Sequence, residues 1–480
     1  VDDGAPNPAL DRSSDLSRLA RYAYIAGLAG ASVVVGMGFL AARRGVLDSG
    51  WGITSGTSPN VDRSIALVLV VAAATMFAIE FGVRAKVEGK SLIAVSPLVT
   101  ERRYGEFFHL AFGIYVIELG LLSLAIGIPA SFFARLGLHV TEPFGGFYRT
   151  AAEYGFRKDA LGYYRPWFSV MDTFWYAYLF AGLPYVLVTR ALQHAPNSDT
   201  KQAAFTVMKL ARRVRARLDG GDLRTIPAID RYDRSAILGL VVKVFYVPLM
   251  TVFFADQFTH VVNNFSWMTG PKFVLANVNM RDVFNVSQSI IFAVDVGVAW
   301  GGYVVSSRWV KNTTFSAEGT VEGWVVALLC YPPIGHVLGN YYSSPAEDAL
   351  LKINDPLLAT VFAGCAIVSF TAYTSATIMF GLRFSNLTNR GIITRGPYAW
   401  VRHPAYAAKN FSWWCLMLPY VIYEGTTQRS LTPLLQIIGM FIMTGIYYRR
   451  AITEERHLSH DEEYVAYTKK VRHRFIPGFL

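Results

Sequence analysis

The stretch Ser64–Val83, SIALVLVVAAATMFAIEFGV, runs without a charged residue until Glu80. A helix rises 1.5 Å per residue and needs about 20 mostly apolar residues to cross a hydrocarbon core about 30 Å thick. This run is therefore read as a transmembrane helix. Working outward from it, comparable runs cover Tyr22–Ala42, Phe107–Ala130, Ser169–Val188, Ala236–Ala255, Val286–Val305, Gly323–Tyr342, Pro356–Leu382, Tyr406–Tyr423 and Leu431–Tyr448. Pro332-Pro333 and Pro419 interrupt two of these. The expected fold is all-α, a polytopic transmembrane bundle of about ten spans.

Composition agrees. Of 480 residues 53% are hydrophobic and 16% charged, against roughly 25% charged in ordinary soluble domains. The net charge of +11 could suggest nucleic acid, but in a membrane chain the placement of Lys and Arg carries the information. With ten spans, the N-terminal segment, the loops at 84–106, 189–234, 306–322 and 383–405 and the C-terminal tail share one side. They hold roughly two-thirds of the 45 Lys and Arg, with the loop at 189–234 contributing most, so both termini are expected in the cytoplasm, in an inner-membrane protein. The residues up to Arg21 are polar and no small-residue cleavage site follows the first run, so that helix is expected to stay.

Inside the long loop, Val207, Leu210, Val214 and Leu218 recur at helical spacing with Arg212, Arg213, Arg215 and Arg217 around them. Lys201–Leu218 reads as a basic amphipathic helix on an anionic leaflet. The segment Phe144–Pro166, rich in Gly, Tyr and charge, is expected to be a lid or a connecting loop. Cys330, Cys365 and Cys415 lie in apolar runs, which predicts buried packing residues and no metal site.

The texture changes near Asp355-Pro356, where a domain boundary is placed: an N-terminal membrane domain of about seven spans at 1–355 and a C-terminal domain at 356–480. The second contains Arg-Gly-Ile-Ile-Thr-Arg-Gly-Pro-Tyr-Ala-Trp-Val-Arg-His-Pro-Ala-Tyr, Arg390 to Tyr406. Residues before prolines are pushed out of helix, so this segment is expected to be ordered and non-helical. Beyond the last span come Arg449-Arg450 and Glu454-Glu455, then Tyr464, Tyr467 and a basic end. Arg450 and Glu454, four apart, share a face if the helix continues.

The string Gly396-Pro397-Tyr398-x-x-x-Arg402-His403-Pro404-x-Tyr406, followed after two spans by Glu454-Glu455-x-x-Leu458 and Tyr464-x-x-Tyr467, resembles the isoprenylcysteine carboxyl methyltransferases and their bacterial relatives. The phospholipid N-methyltransferases share the pattern. The resemblance covers about 385–480 and implies a cytoplasmic S-adenosylmethionine site built by both motifs, with a lipophilic or lipid-linked acceptor entering from the bilayer. It implies catalytic roles for Arg402, His403 and Glu455, and cofactor binding by Gly396, Pro397, Tyr398, His403, Pro404, Tyr406, Glu454, Glu455 and Tyr467. Such a cofactor carries a sulfonium, an ammonium, a carboxylate and adenine, and asks for carboxylate, cationic and aromatic groups together. The acceptor is expected to be a carboxylate, with an Arg to orient it; an amine or hydroxyl would need a base such as His403. One departure is Ala408 where the family commonly has glycine, followed by the polar Lys409 and Asn410.

Ionisable residues in spans are costly and are functional candidates by default. Glu80, Glu118, Asp172, Lys243, Asp256, His260, Asp295 and His336 qualify; Asp295, mid-span, is expected to line a polar cavity or pair with Lys243. Two rival readings stand: an NADPH-dependent enzyme resembling the sterol C14 reductases, and a transporter or binding protein with a non-catalytic C-terminal domain.

Overall fold

The computed structural model describes residues 22–43, 59–88, 92–135, 158–192, 203–220, 228–331, 355–427 and 432–478. His336, the Asp172 side chain and residues 144–157 of the Phe144–Pro166 segment lie outside what is described.

The described residues are helical almost throughout. In order come α1 (Ala23–Ala42), α2 (Pro59–Glu88), α3 (Tyr104–Arg135), α4 (Lys158–Leu192), α5 (Ala203–Leu218), α6 (Arg231–Thr269), α7 (Met280–Val304), α8 (Val321–Leu328), α9 (Pro356–Phe380), α10 (Pro404–Thr427), α11 (Thr432–Leu458) and α12 (Glu462–Lys470). Two short strands, β1 (Ser316–Ala317) and β2 (Thr388–Asn389), pair antiparallel, Ser316 opposite Asn389. Helix starts follow local chemistry. Asp230 and Asn279 cap α6 and α7 in capping boxes with Asp233 and Asp282, and Asp355 with Pro356 at the first helical position starts α9.

Among the described residues, six helical segments are long and apolar enough to cross a membrane: Ala23–Ala42, Ile65–Glu88, Tyr104–Leu124, Arg231–Thr269, Met280–Val304 and Pro356–Arg383. The expected runs at 169–188, 406–423 and 431–448 are also helical, in α4, α10 and α11, but fall short of continuous apolarity. Lys409, Asn410 and Ser412 interrupt the apolar run of α10, and Gln436 and Arg449-Arg450 that of α11. In the run at 323–342 the described residues form α8, which ends at Leu328 with a turn after it, and residues 332–342 lie outside what is described.

The surface is inverted relative to a water-soluble protein. Phe180 is 79% exposed, Val368 71% and Phe441 64%, as for side chains facing lipid. Cys415 is buried and Cys330 half-buried, but Cys365 is exposed on α9, against the expectation.

Between helices in lipid there is no hydrophobic gain to collect, so close backbone approach and polar contacts hold the bundle. Helix α7 is its axis, packed on α6, α9, α1 and α2, with Trp300 buried and donating to Thr251 Oγ1 at 2.9 Å. Helix α1 lies directly on the end of α9. A Cβ on Gly27 would strike the Ile378 carbonyl, and one on Gly381 the Ala23 carbonyl. Gly381 also has φ +49°, so its place at the end of α9 needs glycine twice over. The two expected domains thus touch through bare backbone.

Two ionisable expectations are resolved by packing. Asp295 accepts from Tyr373 Oη at 2.8 Å and from Thr377 Oγ1, both on α9, and not from Lys243. Glu80 forms a buried pair with Arg383.

Candidate functional site

The segment between α9 and α10 decides the site. After Gly381 the chain makes a short turn, enters β2, and passes Gly391 at φ +117° and Gly396 at φ +61°. Pro397 opens a second turn and Pro404 opens α10. The ordered, non-helical course expected from the prolines is what forms. Two buried arginines fasten it to the N-terminal helices. Arg383 pairs with Glu80 and donates to the Val310 carbonyl at 3.2 Å. Arg390 donates to Gly302 O, to Val305 O at 2.8 Å and to Asn312 O at 2.8 Å, satisfying carbonyls at the end of α7.

Helix α11 runs past its apolar stretch and brings Arg450 and Glu454 to the same place. Tyr406 Oη donates to Glu454 Oε2 at 2.7 Å, and its ring lies under the Arg450 guanidinium at 5.1 Å. Arg450 also faces the Tyr331 ring at 5.5 Å and donates to Asn386 Oδ1. Asn386 in turn donates to Tyr303 Oη at 2.6 Å and Tyr331 Oη at 3.0 Å. His403 stacks on Tyr406, centroids 5.4 Å apart and nearly parallel.

Glu455, one residue on, points elsewhere. It accepts from His403 Nε2 at 3.2 Å and from Arg474 Nε at 2.9 Å, and Arg402 Nε lies 3.3 Å away, near enough for attraction but not aligned for a hydrogen bond. Burial pushes its carboxyl up, but hydrogen bonds and charge from His403, Arg474 and Arg402 more than offset this and hold it below the ordinary value. The C-terminal tail is tied alongside: Arg402 N donates to His473 O at 2.9 Å and His403 N to Arg474 O at 2.8 Å.

These groups surround a cavity whose empty space, counting the open solvent at its mouth, is about 860 Å³. Of the residues singled out in the sequence, Tyr398, Arg402, His403, Tyr406, Glu454 and Tyr467 line it. Gly396, Pro397, Pro404 and Glu455 do not; they shape the segment or hold His403 from behind. Tyr464 and Tyr467 are buried cavity walls, and Tyr467 Oη donates to Tyr398 O at 2.7 Å. Glu463 is half-buried, and burial with the neighbouring Asp461 raises its carboxyl to about 7.

Sequence reading missed Asn386, Arg383, Arg390, His457 and, from outside the C-terminal domain, Glu318. Arg450 was visible only as sharing a face with Glu454. No spacing signal ties position 318 to 454; an Asn and two Arg just after an apolar run were the only available hint for the others.

The donor set suits S-adenosylmethionine. It offers an aromatic face (Tyr398), a cation (Arg450), carboxylates (Glu318, Glu454), and a buried Tyr464 hydroxyl with no partner among the described residues. No group of three or more His, Cys, Asp or Glu able to hold a metal occurs among the described residues.

Residues 357–460 match the family model of the isoprenylcysteine carboxyl methyltransferases. The matched span contains α9, the β2 segment, α10 and α11 up to the cavity, and leaves out β1, α8 and α12. No curated protein and no solved structure matches the chain.

Proposed function

We propose that this chain is an integral membrane methyltransferase that takes S-adenosylmethionine into the cavity between the Arg390–Tyr406 segment and the end of α11, and methylates a lipophilic or prenylated acceptor, a carboxylate foremost. One observation carries the reading. Tyr406 and His403 at the start of α10 meet Arg450 and Glu454 at the end of α11 in one cavity, inside the span that matches a methyltransferase family.

When bound, the cofactor supplies an electrophilic methyl on a sulfonium. The work left to the protein is positioning and exclusion of water. Tyr398 offers a face suited to a sulfonium, and Glu454, fixed by Tyr406, keeps its other oxygen for a donor group. Arg450, held by Asn386 and resting on Tyr406 and Tyr331, is placed to orient an acceptor carboxylate without a base. His403, held between Tyr406 and Glu455, positions the segment and is the candidate base for an amine or hydroxyl acceptor.

In this proposal residues 356–480 are the catalytic domain and 1–355 a membrane domain closing one side of it. Helices α4, α10 and α11 cross the membrane with the six more apolar ones, and a tenth crossing falls at 323–342. Both termini and the cavity mouth face the cytoplasm, as the placement of Lys and Arg suggests. The acceptor approaches through the bilayer.

Calorimetry on the purified chain with S-adenosylmethionine and with NADPH tests the reading. Binding of the first alone is expected; NADPH binding without S-adenosylmethionine binding would sink it in favour of a reductase. Labelled methyl donor added to native membranes is expected to mark a lipid-soluble product, and Arg402→Ala and Glu455→Ala to abolish the label while expression is unchanged.

A further inference from the structure

The donor cavity has a wall that does not come from the C-terminal domain. Strand β1 pairs with β2 and carries residues 316–323 over the cavity, where Glu318 and Gly323 line it. The wall is pinned to α11: Glu322 forms ion pairs with Arg449 and with Arg456, the latter at 2.8 Å, and Ser316 Oγ lies 3.2 Å from His457 Nε2.

Glu318 is 3% exposed. Its Oε1 accepts from Thr320 N at 2.8 Å and Thr320 Oγ1 at 2.7 Å, which fixes the side chain. Its Oε2 has no such partner among the described residues and belongs to a group lining the cavity. Glu454, the other carboxylate among the described lining residues, gives one oxygen to Tyr406 and belongs to α11 rather than to this wall. The arginines lining it are already engaged: Arg383 with Glu80, Arg390 with carbonyls, Arg402 with Glu455, Arg450 with Asn386. A buried carboxylate with one fixed and one open oxygen, facing a polar cavity, is set up to receive a cationic donor.

We propose that Glu318, supplied by the N-terminal part of the chain, is a ligand of the methyl donor and receives the ammonium of its amino-acid end. This rests on the methyltransferase reading. It gives the N-terminal helices a direct part in the site: they hold the acidic wall of a composite pocket, and the matched span 357–460 lacks that wall. Position 323 is glycine for the same reason, since a Cβ there would sit 2.5 Å from Glu318 Cγ and 2.6 Å from Cδ.

Calorimetry on the full chain compares S-adenosylmethionine with 5′-methylthioadenosine, which keeps the nucleoside and lacks the amino-acid end. Glu318→Gln keeps an oxygen for Thr320 and removes the charge. The expected result is a tenfold or greater rise in Kd for S-adenosylmethionine, an unchanged Kd for 5′-methylthioadenosine, and an unchanged melting temperature without ligand. Gly323→Ala, which displaces the carboxylate but leaves its charge, is expected to weaken S-adenosylmethionine in the same selective way and serves if Glu318→Gln does not fold. Equal weakening of both ligands would overturn the assignment in favour of a structural wall. Unchanged S-adenosylmethionine binding in both variants would overturn it while leaving the methyltransferase reading intact. Wild-type protein that binds neither ligand would overturn both.

Discussion

Glu455→Gln takes away the carboxylate shared by Arg402, His403 and Arg474, and the consequence can be sized. The contacts are 2.9 Å to Arg474, 3.2 Å to His403 and 3.3 Å to Arg402. The two arginine contacts are each worth about 5 kcal/mol gross at an effective dielectric of about 20, most of it offset by desolvation. Breaking a buried pair by removing one partner costs about 3–5 kcal/mol. Arg474 is 37% exposed and its share is screened, so about 3 kcal/mol is the working figure. What then holds the tail is the pair of backbone hydrogen bonds from Arg402 and His403, about 1 kcal/mol each, a longer one from the Arg402 guanidinium to Arg472 O at 3.3 Å, and the contacts of the Phe475 ring with His403 and Tyr448. The tail should therefore open, and His403 lose its fixed orientation beneath Tyr406. In detergent, Glu455→Gln is expected to melt several degrees lower, to be cut faster by trypsin near Lys470 and Arg472, and to bind S-adenosylmethionine at least tenfold more weakly, about 1.4 kcal/mol. The lowered carboxyl gives a second reading. Its stabilisation is present above the ordinary value of 4.5 and is lost as pH falls through the lower folded value. Acidification below that window should loosen the wild-type tail and leave the variant, already loosened, unchanged. Wild-type cleavage rate and affinity in Glu455→Gln would refute the view that this charge organises the site.

Three further outcomes follow from the packing. Arg383→Met leaves Glu80 buried and unpaired and is expected to cost about 3–5 kcal/mol in thermal unfolding, while Glu80→Leu with Arg383→Met recovers most of it; an undisturbed single variant would deny the pair its role. Gly381→Ala meets the Ala23 carbonyl at an unfavourable φ and should lower stability by about 2 kcal/mol or more, with wild-type melting as the contrary result. For Glu463, raised from 4.5 to about 7, the folded state holds a proton that the unfolded state releases between those values, so stability declines as pH rises through that window. Glu463→Gln should flatten this decline in melting temperature between pH 5 and pH 8, and equal slopes in the two proteins would contradict it.

The sequence by itself determined the solvent. Runs such as Ser64–Val83 and Phe107–Leu124 satisfy every backbone group within one helix and present apolar side chains, which settles membrane and helix from local chemistry alone. It also determined that the Arg390–Tyr406 segment leaves helix before Pro397 and Pro404, and that two charged strings flank one helical hairpin. What it left open followed from distance along the chain. A buried ion pair such as Arg383 with Glu80, a carbonyl cradle such as that of Arg390 and a two-residue pairing between 316–317 and 388–389 depend on helices packed more than seventy residues apart. Periodicity and spacing carry no record of such contacts. The same holds within the motif: Glu454 and Glu455 are adjacent in sequence, yet successive positions on a helix point about 100° apart, and only the packing of α11 against Tyr406 on one side and the C-terminal tail on the other decided that the first faces the cavity and the second stands behind it. The membrane was legible residue by residue, whereas the composite wall at Glu318 exists only because tertiary structure folds the N-terminal part of the chain over the C-terminal site.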